Sequence, residues 1–251
     1  MINLNTKKWK IKNIDTIIFD KDGTLIDLHH FWGKMTEMRA NEIIEKFCLK
    51  KDCHKKFCDF LGFNIETKKM YNDGITALFS RAKIIELFCE ELKNYNVETN
   101  PDELENIFNK VSDNFNKNFE KQVKPIDEAI ELVKKLKENN IKLAIVTADS
   151  IISTNRSLDY LGIKNLFDVI VARESHSERK ETGKPTEFAL NILKSKPENT
   201  IMIGDTPIDQ QSAQKARIEK TILVATGQLS KEELKKYSPF CINSLSELEI
   251  I

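Results

Sequence analysis

The sequence predicts an α/β fold: a doubly wound, Rossmann-like parallel-sheet core interrupted by an inserted all-helical cap domain. Three observations predict it. Short Ile- and Val-rich runs occur near the start of the chain and again after residue 120. The later runs alternate with helical patterns, as βαβ units do. The stretch between is helical in its periodicity and lacks strand signals. The expected bounds are 1–27 and 121–251 for the core and 28–120 for the cap.

The expected strands are 15–20 ("DTIIFD"), 141–147 ("IKLAIVT"), 166–171 ("LFDVIV"), 200–204 ("TIMIG") and 221–225 ("TILVA"). Continuous apolar runs of this length suit strands buried on both faces of a parallel sheet. In "KPIDEAIELVKKLKENN", Ile126, Ala129, Ile130, Val133 and Leu136 form one helical stripe. Pro125 fits its first turn, with Asp127 and Glu128 early and Lys134, Lys135 and Lys137 late, matching the helix dipole. "STNRSLDYLGI" closes at Gly162, a C-cap residue, and "SKEELKKY" opens with a capping box of Ser230 and Glu233.

Within the insertion, "KMTEMRANEIIEKFCLK", the run from Ile75 to Tyr95 and the run from Asp102 to Phe119 read as helices. Asn72–Asp73–Gly74 and Asn100–Pro101 mark turns between them. No internal repeat and no low-complexity tract interrupts this pattern.

Composition narrows the partners. Lys plus Arg and Asp plus Glu each number 39, so the chain has no basic excess for nucleic acid or an anionic membrane. No apolar run approaches membrane-spanning length, and "MINLNTKKWKIKNID" lacks the apolar core of a signal peptide, so a cytoplasmic location is expected. The five cysteines form no C-x-x-C pair. Cys48, Cys53 and Cys58, with His54, lie in an apolar helical segment beside Phe47, Phe57 and Phe60, and are expected to be reduced core thiols rather than zinc ligands. The oligomeric state stays open between monomer and dimer.

The chemistry is concentrated at predicted strand ends. Ligands of open parallel sheets bind outside the carboxyl ends of the strands. There the chain carries Asp20 and Asp22, then Thr147 and Asp149, then Gly204, Asp205 and, one turn on, Asp209. The polar segment "ARESHSERKETGKPTEF" brings lysines toward the same edge; Lys184, just before Pro185 and a helix, is favoured over Lys180. Such a cluster of acids needs a divalent cation to neutralise it, and Mg²⁺ suits hard oxygen ligands and a phosphate.

"DKDGTL" at 20–25, the strand ending at Thr147, "GKP" with Lys184, and "GDTPID" at 204–209 resemble the four ordered motifs of the haloacid dehalogenase superfamily. A helical insertion directly after the first motif resembles its C1-capped subgroup, which includes phosphoglycolate phosphatases and β-phosphoglucomutases. The resemblance implies a Mg²⁺-dependent phosphatase acting on a small phosphorylated metabolite. Asp20 would be the nucleophile, forming an aspartyl-phosphate, and Asp22 the general acid and base. Asp20, the backbone carbonyl of Asp22, and Asp205 would ligate Mg²⁺, with Asp209 as a further ligand or orienting group. Thr147, the N–H of Ala148 and Lys184 would bind phosphoryl oxygens, and Gly23 would let the backbone turn beside them.

Departures from the family pattern are Lys21, where relatives more often have an apolar residue, Ala148–Asp149, where relatives often carry an amide after the threonine, and "AQKARI" after the fourth motif, without the glycine that relatives commonly have. Strand alternation leaves Lys21 either close to the site or pointing away. His29, His30, Trp32, Arg39 and Arg81 are candidates for reading the leaving group. A β-phosphoglucomutase-like phosphomutase would keep the same four motifs, and a phosphate-binding regulatory protein is the non-enzymatic alternative.

Overall fold

The computed structural model describes all 251 residues, in two compact units. One comprises Met1–Asp27 and Pro125–Ile251; the other is Leu28–Lys124. The first is built on six parallel strands: β1 (Thr16–Phe19), β2 (Lys142–Val146), β3 (Val169–Val171), β4 (Thr200–Gly204), β5 (Lys220–Val224) and β6 (Phe240–Ile242). Their spatial order is β6-β5-β4-β1-β2-β3. The central strand is therefore β1, with Phe19 in register with Ile145 on one side and Ile203 on the other.

Both faces of this sheet are covered, which explains its unbroken apolar runs. Ile17 and Phe19 join a core with Leu143, Ile145, Ile201 and Ile203, closed by Ala129, Val133 and Leu136 of helix Asp127–Glu138. Ile18 faces the other way, packing with Ala144, Val146 and Met202 against Ala189, Leu190 and Ala213. The predicted stripe and the Ser230–Glu233 capping box both form, and Gly162 takes a φ of 67° after helix Ile151–Tyr160.

Pro125 lies just before its helix rather than in the first turn. Its segment runs extended beside Ile26, and the Ile126 N–H donates to the Leu25 carbonyl at 2.9 Å, so the helix starts only at Asp127. The sheet also has a strand the run-based reading passed over, β6, and a separate antiparallel set of Ile2–Asn5, Lys10–Ile14 and Glu249–Ile250. These are short and alternate apolar with polar residues. Ile2, Leu4, Ile11 and Ile14 turn inward while Lys10 and Lys12 stay out.

The second unit packs α1 (Leu28–Lys46), α2 (Arg81–Lys93) and α3 (Pro101–Lys117) around Ala40, Ile43, Phe57, Phe88, Leu92, Leu104 and Phe108. The helix expected to run from Ile75 breaks at Phe79–Ser80. Ser80 is extended there and caps α2 by accepting the Lys83 N–H. Asn100 caps α3 in the same way, through the Glu103 N–H at 3.0 Å. A two-residue antiparallel ladder, Phe63–Asn64 with Lys69–Met70, is added to the helices. Cys53, Cys58 and Cys89 are buried in this core, Cys48 is exposed, and all five cysteines of the chain are free. No helix is long and apolar enough to cross a membrane.

Phe57 is fully buried, with edge-on rings of Phe88 at 5.1 Å and Tyr95 at 5.0 Å. Phe57→Ala should cost about 3–5 kcal/mol. Urea unfolding followed by helical circular dichroism checks this, and a loss under about 1 kcal/mol would contradict such close packing.

Candidate active site

The carboxyl end of β1 is a tight, backbone-satisfied turn. The Asp20 N–H still donates to Ile203 at 2.9 Å, extending the β1–β4 ladder by one residue. The Lys21 carbonyl then accepts from the amides of Thr24, Leu25 and Ile26, and Gly23 adopts a φ of 85°. That left-handed conformation favours glycine. The turn also has no room for a side chain, because a Cβ at Gly23 would overlap the Asp205 carboxylate.

Carboxylate oxygens of Asp20, Asp205 and Asp209 come within 4.8 Å of one another, and all three residues are buried. Asp205 follows the last residue of β4. Neither of its carboxylate oxygens has a hydrogen-bond partner, although both are shut off from solvent. Asp209 is differently placed. Its Oδ2 accepts from the Thr206 N–H at 2.9 Å and hydroxyl at 2.8 Å, forming the capping box of helix Pro207–Lys215. Its Oδ1 lies 2.6 Å from Lys180 Nζ, which reaches Asp20 Oδ1 at 2.5 Å. Asp209 thus orients Lys180, while Asp205 remains unanswered.

Burial pushes the Asp20 carboxyl up to about 7, with Lys180 opposing and Asp209 adding to the rise. Burial, then the charges of Asp20 and Asp209, also push Asp205 well above the usual carboxylate range. Burial alone would pull the Lys180 ammonium down, but Asp20 and Asp209 outweigh it and hold it above its ordinary value. A buried carboxylate with two free oxygens, beside the Asp20 carboxylate, offers the hard oxygen donors that a divalent cation takes.

The lysine brought to these carboxylates is Lys180, not Lys184 as the sequence led us to expect. Lys184 is the first residue of helix Lys184–Leu193 and points outward, paired with Glu187 at 2.8 Å. Lys180 begins a 3₁₀ turn that ends at Gly183, whose φ is 79°. The turn folds Lys180 back into the site, and Gly183 lies so close to Lys215 and Ala216 that a Cβ would not fit. A glycine demanding positive φ between the two lysines was the available signal.

Lys21 is close to the site and fully buried. Its Nζ contacts Asp22 Oδ1 at 2.6 Å and Asp149 Oδ2 at 2.9 Å. Lys21 and Asp149, which lie in two of the departures from the family pattern, are joined in one buried ion pair. Burial raises the Asp22 carboxyl and Lys21 partly counters it; at Asp149 the burial effect is overcome by Lys21 and by local hydrogen bonds, leaving that carboxyl below its usual range. Thr147, buried at the end of β2, accepts the Asp149 N–H through its hydroxyl at 3.2 Å, with Ala148 between them.

Two residues escaped the sequence reading. The Thr226 hydroxyl donates to the Gly23 carbonyl at 2.5 Å, and Gly227 packs so tightly on Asp205 that no side chain would fit. Both follow β5, so the strand-end rule applied to "TILVATGQ" would have found them.

The five candidates in the helical unit do not form one cluster. His29 Nδ1 accepts the Met70 N–H at 3.0 Å, and His30 Nε2 donates to the Lys121 carbonyl at 3.3 Å. Trp32 is half-buried and edge-on to Phe31. Arg39 and Arg81 do meet, around the ring of Phe108.

The model of the haloacid dehalogenase-like hydrolases matches residues 17–224. The chain belongs to that family. It is 27% identical over 236 residues to the pyrophosphatase PpaX of Halalkalibacterium halodurans, covering 94% of this chain and 95% of that protein. It is 30% identical to the phosphoglycolate phosphatase of Colwellia psychrerythraea over 125 residues, 49% of this chain and 55% of that one. Among solved structures, a predicted phosphoglycolate phosphatase from Haemophilus somnus superposes with a TM-score of 0.71 at 16% identity, covering 94% and 97% of the two chains. At that identity the likeness speaks for the fold.

The Lys21–Asp149 pair predicts strong coupling. Lys21→Leu and Asp149→Asn should each destabilise by about 3–5 kcal/mol, and the double variant by clearly less than their sum. Additive losses in a double-mutant cycle would deny the pairing.

Titration predicts a second effect. With divalent cations chelated, the folded chain retains a proton on Asp20 up to about pH 7, whereas the unfolded chain releases it near 3.8. The folded state binds more protons inside that window, so this group's contribution falls as pH rises through it. Asp20→Asn should flatten the decline in urea titrations between about pH 5 and about pH 7.5. Adding Mg²⁺ at 100 times its dissociation constant should restore about 2.7 kcal/mol in the wild type but not in Asp205→Asn. An Mg²⁺ response in Asp205→Asn equal to the wild type's would reject Asp205 as a ligand.

Proposed function

We propose that this chain is a Mg²⁺-dependent phosphatase that hydrolyses a small phosphate monoester through an aspartyl-phosphate on Asp20. Residues 1–27 and 125–251 would form the hydrolase core and 28–124 the cap, four residues longer than the 28–120 expected from sequence. The observation that carries the reading is the division of two neighbouring carboxyls between two lysines. Asp20 is held by Lys180 next to the unanswered Asp205, and Asp22 is held by Lys21. Two carboxyls in different environments can take two roles.

In the first step an Asp20 carboxylate oxygen attacks phosphorus and the bond to the leaving oxygen breaks. Asp22 gives that oxygen its proton, which requires a carboxyl that stays protonated; burial favours this. In the second step Asp22, now a carboxylate, takes a proton from water. The water oxygen attacks phosphorus, releasing inorganic phosphate and the Asp20 carboxylate. Lys21 holds one Asp22 oxygen and so orients the other. Lys180, the Thr147 hydroxyl and the Ala148 N–H answer the charge on the phosphoryl oxygens. Mg²⁺, held by Asp20, Asp205 and the Asp22 backbone carbonyl, would supply the positive charge that lets an anionic nucleophile meet an anionic phosphate. The pyrophosphatase and phosphoglycolate phosphatase relatives support phosphoryl hydrolysis as the reaction class.

Asp20→Asn should abolish both phosphate release from a chromogenic aryl phosphate and formation of the phosphoenzyme. Lys180→Ala should lower kcat on the order of 10²–10³-fold, while Lys184→Ala stays within about twofold of wild type. Appreciable turnover by Asp20→Asn, or a larger loss at Lys184 than at Lys180, would overturn these roles.

A further inference from the structure

The helical unit buries a positive charge that the chain does not answer. Arg39 projects from α1 and is 5% exposed. Its Nε–H is buried without an acceptor, and the carboxylate that acts on its guanidinium, Glu105, is paired with Arg81 instead. One turn earlier on the same face, the fully buried Thr36 hydroxyl also has no partner. Arg81, from the first turn of α2, shares the Phe108 ring with Arg39. It pairs with Glu105 at 2.9 Å and Asn109 at 2.7 Å, leaving its own buried Nε–H unused. Both guanidinium carbons lie over the Phe108 ring, Arg39 at 4.3 Å and Arg81 at 5.7 Å.

Three buried polar groups without partners, on two helices and beside two like charges, are an unfavourable way to fill a core. Cation–π contact with Phe108 compensates one face of Arg39, not its in-plane N–H groups, which need oxygen acceptors. A guanidinium fork with nearby hydroxyl and guanidinium donors matches a carboxylate or phosphate group. Burial, together with the repulsion of Arg81, depresses Arg39 to about 9, against the attraction of Glu105.

We infer that Arg39, Thr36 and Arg81 form an anion-binding site within the helical unit, which takes a small carboxylate or phosphate. The site stands on that unit's own residues and does not depend on the phosphatase reading. The same chemistry can arrive on a substrate with a second anionic group or on a free effector, and the test separates them.

The full-length chain is titrated with inorganic phosphate, in chelator and at constant ionic strength, while the Arg39 Nε–H resonance is followed by NMR. The expected result is a saturable shift that persists in Asp20→Asn and whose affinity falls at least about tenfold in Arg39→Lys, which keeps the charge but loses the fork. Arg39→Met should abolish phosphate stabilisation, yet unfold no more readily than the wild type in the absence of anion, because it removes an unpaired buried charge. No saturable shift in the wild type would overturn the site, and this reading needs no variant to fold. A destabilised Arg39→Met that keeps its phosphate response would instead assign Arg39 to packing.

Kinetics then identify the source. A substrate-borne anion predicts that Arg39→Lys raises KM about tenfold for phosphoglycolate or pyrophosphate and leaves KM unchanged for a simple alkyl phosphate, which carries no second anionic group. An effector predicts equal KM changes for all substrates, relieved by added glycolate. If no substrate turns over, the phosphatase reading fails while the NMR titration still decides the site.

Discussion

The structure depends on how negative charge is contained at the carboxyl edge of one parallel sheet. Five carboxylates gather there, those of Asp20, Asp22, Asp149, Asp205 and Asp209, against two ammonium groups, Lys21 and Lys180. The lysines divide the cluster instead of neutralising it. Lys21 binds Asp22 to Asp149, Lys180 binds Asp20 to Asp209, and Asp205 is left alone. Each lysine still leaves an excess of one negative charge with its pair. Burial then raises the carboxyl pKa values of Asp20 and Asp205.

The fold serves that arrangement. With β1 in the middle of the sheet, Asp20 is flanked by the ends of β2 and β4, which bring Thr147 and Asp205 beside it. Gly23, Gly204 and Gly227 have no side chains where carboxylates must lie, so the acids are confined by backbone. Helix Pro207–Lys215 fixes Asp209 through its own capping box, and Asp209 in turn fixes Lys180. Stability and chemistry share these residues. A buried charge held for reaction is costly to the fold unless a partner arrives.

Much of this was legible beforehand. The apolar runs identified five of the six parallel strands, because strands covered on both faces carry nearly unbroken hydrophobic sequence. The acids were legible because they terminate those runs, and their order along the chain matched a family pattern. What escaped were elements whose signal is short or alternating, such as β6 and the strands Ile2–Asn5 and Lys10–Ile14. The helical reading of Ile75 to Tyr95 passed over the break at Ser80, a residue tolerated inside a helix but favoured as its cap.

The sequence by itself determined the sheet, the inserted helical stretch and the set of acids at the strand ends, because periodicity and burial are local properties of the chain. Only the tertiary structure decided which lysine answers Asp20. Lys180 and Lys184 are four residues apart and chemically identical. A 3₁₀ turn closed by Gly183 against Lys215 and Ala216 sends one inward and the other to solvent. Likewise, Lys21 and the Ala148–Asp149 stretch lie in separate departures from the family pattern, and the β1–β2 pairing brings Lys21 and Asp149 together as one buried ion pair. Reach across strands depends on turns and register, and neither is written in the spacing of the residues concerned.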